Sequence, residues 1–136
     1  MELEAARDFV REHHRAVLAT HRSDGRPQMS VLMAGVDESG RFVMSSRETA
    51  MKTLNARRDP QVSLLVFTDE FFGPWVQVDG VAEVISLPDA MEPLVEYYRS
   101  IQGEHDDWDD YRRAMTEEQR VIIAVSATRA GPDRSG

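Results

Sequence analysis

Hydrophobic positions along this chain follow two periods. Across residues 3–14 they recur every three to four places, with Leu3, Ala6, Phe9, Val10 and His13 on one side and charges elsewhere, which predicts an amphipathic helix laid on a core. From Ala16 the period shortens to that of strands. Residues 16–20 (AVLAT) form a short apolar run, 23–26 (SDGR) a turn, and 28–36 (QMSVLMAGV) a returning strand, with Pro27 confined to its start. A second turn at 37–40 (DESG) leads into a third strand from Phe42. Residues 61–68 (QVSLLVFT) are almost continuously apolar and β-prone, the pattern of a strand buried on both faces. The segment 69–74 (DEFFGP) ends that strand with two phenylalanines in an exposed loop. Residues 75–86 alternate apolar and polar around Gly80, which predicts a long strand bent by a bulge or a close backbone approach. Pro88 opens a helix to about Gln102 that turns Met91, Leu94, Val95 and Tyr98 inward, and residues 106–115 add a further helical turn or two. Residues 120–127 (RVIIAVSA) are the last strand, and from residue 126 onward the polar, Gly- and Pro-bearing end is expected to be a loose tail.

Six strands joined mostly by hairpin-length turns, with helices as insertions, predict a mainly β protein with peripheral helices: a six-stranded antiparallel barrel in one domain, residues 1–136. Such a small barrel fills its interior with its own side chains, so a ligand has to bind outside it, in a groove shared with a second copy.

Charge narrows the choice of ligand and places it. A net charge of −8 and a pI near 4.9 argue against a nucleic-acid binder and against a basic membrane-surface protein. The charge is uneven: residues 1–60 hold nine acids and ten bases, whereas residues 61–136 hold fifteen acids and six bases. An anionic ligand therefore belongs on the N-terminal half. With no cysteine, disulfides, thiolate catalysis and cysteine metal sites are excluded. No apolar run approaches the roughly 20 residues of a membrane span, and the acidic N-terminus is unlike a secretory signal, so the expected location is cytoplasmic.

The segment 42–60 (FVMSSRETAMKTLNARRDP) carries the candidate chemistry. It reads as a strand that stops at a Ser45-Ser46-Arg47 turn and opens a short helix with Lys52, Arg57 and Arg58 on exposed positions. Unpaired backbone N–H groups and the dipole at a helix start favour an anion, and nearby hydroxyls and cations complete a phosphate cradle. Lys52 is the one lysine beside fifteen arginines, a compact point charge retained where every other cation is a planar fork. The plainer alternative is a solvated helix residue, with Arg57 and Arg58 paired to Asp59 and neighbouring acids. Gln28 and Ser30 alternate with Met29 and Val31, either facing solvent or holding a ligand's heteroatoms. Trp75, after the aromatic 71–74 loop, is either a core residue or a wall for a flat ring. Dinucleotide and Walker phosphate fingerprints and a nucleophile elbow are all absent. The acidic run 104–110 fails as a calcium loop, because Trp108 stands where a ligand is needed and Tyr111 where the turn needs glycine, so no metal site is assigned. An acidic helix start with Trp108 and Tyr111 packed inward is the expectation there.

Together these residues resemble the flavin and deazaflavin oxidoreductases of the pyridoxamine-phosphate-oxidase-like split β-barrel, particularly the actinobacterial coenzyme F420-dependent branch. The resemblance rests on residues 24–30 (DGRPQMS), on Lys52 followed by 55–60 (NARRDP), on the FFGPW and VQVDG run, and on 98–112. It implies a homodimer with two cofactor sites at the interface, the ring between subunits and the phosphate on the basic loop and helix. It implies Lys52 as the phosphate-binding lysine and Ser45 and Ser46 near the phosphate and ribityl chain, with Gln28, Met29 and Ser30 on the strand facing the ring. Relatives in this branch often carry arginine two residues before the lysine; here that position is Ala50, and Arg47 is the nearest substitute. The implied activity is hydride transfer from reduced F420 to an unsaturated or heteroaromatic small molecule. FMN in the same fold, or a non-catalytic F420 carrier, are the alternatives.

Overall fold

A computed structural model of the protein describes residues 1–133. Seven antiparallel strands form one sheet, in the order β2-β1-β5-β6-β7-β4-β3, decorated by four helices. The strands are β1 (Arg15–His21), β2 (Pro27–Met33), β3 (Gly35–Val36), β4 (Phe42–Arg47), β5 (Gln61–Phe67), β6 (Trp75–Ile85) and β7 (Arg120–Gly131). The helices are α1 (Leu3–Glu12), α2 (Met51–Arg58), α3 (Met91–Gln102) and α4 (Trp108–Glu117).

The expected second strand is two. Residues before Ala34 pair with β1, from Met33 against Arg15 to Pro27 against His21, whereas Gly35 and Val36 pair with Val43 and Phe42 of β4. Buried Ala34 is the switch, held by its N–H to the His14 carbonyl at 2.8 Å and by the His14 Nδ1–H donated to its own carbonyl at 2.8 Å. The two edges of the sheet are therefore one run of chain, and the sheet curls into a barrel that is split at this point. Phe42, Met44, Leu18, Leu64, Val66, Val78 and Ile123 fill the interior, and α1 closes one side with Ala6 and Val10. A second core, Val43, Leu94, Val95, Tyr111 and Ile122, lies on the outer side of β4 and β7 beneath α3 and α4.

Three other expectations change in detail. The last strand does not stop near Ala127: β7 continues to Gly131, pairing Arg129, Ala130 and Gly131 with Asp79, Val78 and Gln77, because β6 is long enough to template it. The tail expected from residue 126 is ordered strand over that stretch, and residues 134–136 lie outside the described residues. The acidic run opens a ten-residue helix, α4, capped by Asp107 accepting from the Asp110 N–H at 3.1 Å. Trp108 and Tyr111 pack inward against Tyr98 as expected, and the Tyr111 hydroxyl donates to the Leu94 carbonyl at 2.8 Å. Finally, β5 buries one face only: Val62, Leu64 and Val66 are in the core, but Leu65 is exposed.

Gly80 does what its place in the strand pattern requires. The β6–β7 register shifts between Asp79 and Gly80, and a β-carbon at Gly80 would fall on the Ser126 carbonyl oxygen and 2.7 Å from Val125 Cγ1. The backbones approach too closely there for any side chain.

Candidate functional site

The residues of the candidate anion site lie at the junction of β4 and α2, with one change in how they are arranged. Ser45, Ser46 and Arg47 do not turn; they remain in β4, paired with Ile122, Val121 and Arg120 of β7, and the turn comes at residues 48–50. The ladder with β7 extends the strand by two residues, so alternation sends the two serines to opposite faces. Ser46 is buried at the end of the barrel, its hydroxyl 2.7 Å from that of Thr53, which also donates to the Arg47 carbonyl at 2.6 Å. This pair fixes the first turn of α2 to the strand end. Ser45 and Arg47 share the outer face with Arg120.

Ala50 precedes helix α2 without a side-chain cap, which leaves the first N–H groups of the helix, at Met51 and Lys52, without intrahelical partners. Lys52 is half-buried and, among the described residues, has no acidic partner. Burial, and then the charges of Arg120 and Arg47, push its ammonium below the usual lysine range. The charges of Arg47 and Arg120 act on Lys52, and among the described residues the only carboxylate bonded to any of the three is Glu118, which accepts from Arg47 at 3.2 Å and from Arg120 at 3.0 and 2.8 Å. A site that holds a lysine uncompensated beside two guanidiniums is poised for a ligand anion.

Other predicted residues sit around this centre in different ways. Arg57 pairs with Glu48 at 2.8 Å and donates to the Ser86 hydroxyl at 2.8 Å; Ser86, then Arg57, hold the Glu48 carboxyl below its ordinary range. Arg58 donates to the His21 carbonyl and to Asn55 Oδ1, not to Asp59. Gln28 and Ser30 point to the half-buried side of β2 and bond each other at 3.1 Å, near buried Thr20 and Asn55, which are joined at 3.2 Å. Met29 points the other way, onto an open apolar face with Val31 and Met33. Trp75 lies on that same face, opposite Phe67, and borders a groove of about 550 Å³ that also includes Arg15, Leu65, Phe71 and Gln77.

Within one chain these residues form two groups. Chain leaves α2 into β5 at Gln61, and Trp75 pairs with Phe67 at the far end, six residues and roughly 20 Å along the strand. Lys52 and Trp75 therefore occupy opposite ends of the sheet. Arg120 and Glu118 were not legible as site residues, because nothing in the sequence aligns Arg120 with Arg47 before the β4–β7 ladder forms.

A family model described as pyridoxamine 5'-phosphate oxidase matches residues 3–131, nearly the whole chain. The chain belongs to this family. Solved structures agree on the fold. A conserved hypothetical protein from Mycobacterium tuberculosis is 25% identical over 100% of this chain and 92% of its own, with a TM-score of 0.77. A structure described as an F420 reductase is 21% identical over 91% of this chain and 94% of its own, with a TM-score of 0.69. The haem storage protein HutZ from Vibrio cholerae is 18% identical over 96% and 94%, with a TM-score of 0.71. Proteins described as an F420 reductase and as a haem storage protein thus share this fold. Among the described residues, no helix is long and apolar enough to cross a membrane.

Proposed function

We propose that this protein is a coenzyme F420-dependent oxidoreductase that works as a homodimer on an unsaturated or heteroaromatic small molecule. The observation that carries the reading is the uncompensated Lys52 at the start of α2, crowded by Arg47 and Arg120. That set fits an anion, and an acidic-tailed deazaflavin brings more negative charge than FMN does. The similarity to an F420 reductase supports the same choice.

A second copy of the chain accounts for the open face. The pattern of β5 calls for burial on both sides, yet alone the chain leaves Met29 65% and Val31 84% exposed, with Leu65, Trp75 and the nearly bare Phe71 and Phe72 on the same side or at its edge. An exposed apolar sheet face of this kind is what an obligate interface covers. A two-fold that reverses the strand direction brings the Trp75 end of one copy to the Lys52 end of the other, joining groups that one chain keeps about 20 Å apart.

In that arrangement a bound, reduced deazaflavin supplies the hydride. Lys52 and Arg47 hold its phosphate, the open N–H groups of α2 and the Ser45 backbone line the approach, and buried Ser46 keeps the helix start in place through Thr53. Gln28 and Ser30 present polar groups along β2, Met29 lies at the interface, and Arg57 stands at the rim, paired with Glu48. Trp75 of the second copy walls the ring and excludes water.

Fluorescence titration with F420 and separately with FMN tests the reading. The expected result is F420 binding with a Kd of about 1 µM or below, some −8 kcal/mol, at two sites per dimer and tighter than FMN. A preference for FMN moves the assignment to an FMN-dependent oxidoreductase. Tight F420 binding without turnover across a substrate panel makes the protein a carrier. For the dimer, Val31→Glu is expected to halve the sedimenting mass to that of the 15.4 kDa chain and to abolish tight cofactor binding; a variant that remained dimeric would exclude this face as the interface.

A further inference from the structure

Glu118 has a part at the anion site that the fold alone does not require. It is the C-terminal cap residue of α4; Gln119 follows with a φ of 53°, and Arg120 begins β7. A non-glycine residue in the left-handed region is a constrained conformation. The Gln119 carbonyl is tied to the Glu48 N–H at 2.9 Å, which fastens this turn to the turn that opens α2. The result is a carboxylate aimed between Arg47 and Arg120. A single oxygen, Oε1, receives all three bonds, from Arg47 Nη2 and from Arg120 Nε and Nη2. The Arg120 hydrogen bond, with Arg47 adding to it, lowers the carboxyl from its usual range.

A carboxylate gripped by two guanidiniums mimics the contact that an anionic ligand group would make there. We propose that Glu118 is an internal competitor for the anion site: it occupies Arg47 and Arg120 in the free protein and leaves Lys52 alone to receive the ligand's phosphate. This rests on the reading of the Lys52 cluster as an anion site. It also identifies what became of Arg47, the substitute for the cation missing at position 50. Arg47 is present but engaged, so the site's affinity is set by how readily a ligand displaces one half-buried carboxylate. A phosphate ligand of the class proposed gains two guanidiniums when Glu118 gives way and has one lysine when it does not.

Glu118→Gln keeps the shape and removes the charge. Calorimetric titration of wild type and variant with inorganic phosphate and with F420 is the test, with circular dichroism to confirm folding and Glu118→Ala as a second variant of the same sign. The expected result is at least fivefold tighter binding of both probes in the variants. Unchanged or weaker binding in folded variants, with wild-type binding intact, would overturn the inference and make Glu118 a positioning residue for the arginines, leaving the anion site in place. If neither wild type nor variants bound phosphate or F420, the cluster would not be an anion site and both readings would fall.

Discussion

Lys52→Ala is expected to weaken F420 binding at least tenfold, about 1.4 kcal/mol, without lowering the melting temperature by more than a few degrees. The two halves of this expectation have one cause. Lys52 is charged, half-buried and without an acidic partner among the described residues, so its charge costs the folded state and favours a bound anion. Hydrogen bonds to charged groups are worth roughly 1.5–3 kcal/mol, which sets the scale of the loss. Lys52→Arg is expected to fall between the two, because a planar fork does not replace a point charge in a crowded site. Equal affinity in wild type and Lys52→Ala, measured by the same titration, would remove Lys52 from the site.

The depressed lysine also predicts a pH dependence. Burial and the neighbouring Arg120 and Arg47 disfavour the charged form in the free protein, whereas a bound anion restores it. Over the window between the lowered value and the ordinary lysine value, binding takes up a proton, so affinity falls as pH rises. Folding shows the opposite slope from this group. The unfolded chain binds more protons than the native state over the same window, and the Lys52 contribution makes the protein more stable as pH rises through it. Affinity measured from pH 7 to 10 in wild type, with Lys52→Ala as the flat reference, checks the first slope.

Gly80→Ala is expected to cost at least about 3 kcal/mol, a fall of roughly 10 °C in melting temperature, and Gly80→Val to leave no soluble folded protein. The added carbon has to displace backbone, the Ser126 carbonyl, and not the end of a flexible side chain. The β6–β7 pairing is the longest ladder in the sheet and supports both cores, so opening it at the bulge is felt everywhere. Gly25→Ala is the comparison: its φ is +88° but nothing lies within 4 Å, so it is expected to cost only the left-handed strain of about 1–2 kcal/mol. A thermal shift for Gly80→Ala no larger than that for Gly25→Ala would mean that β6 and β7 part cheaply at the bulge and that close approach does not require glycine there.

Two residues of the basic junction illustrate how local signals fared. Lys52 was singled out by composition and by its place at a helix start, and it does stand at an uncapped start. Ser46, expected in a turn ahead of the helix, is instead buried in β4 against Thr53, since the direction of a strand side chain depends on where pairing with β7 ends.

By itself the sequence determined the order and type of the elements, the bulge at Gly80, the exposed Phe71–Phe72 loop and the basic junction between a strand and a short helix. These follow from periodicity, turn chemistry and single special residues, all of which act over a few positions of chain. The tertiary structure alone decided the change of partners at Ala34 that splits the barrel, the extension of β7 to Gly131, the convergence of Arg47, Lys52 and Arg120, and the seat of Glu118 between two of them. Each of these depends on register between strands distant in sequence. A one-residue slip in such a ladder reverses every side chain, so no local pattern can specify which charges meet.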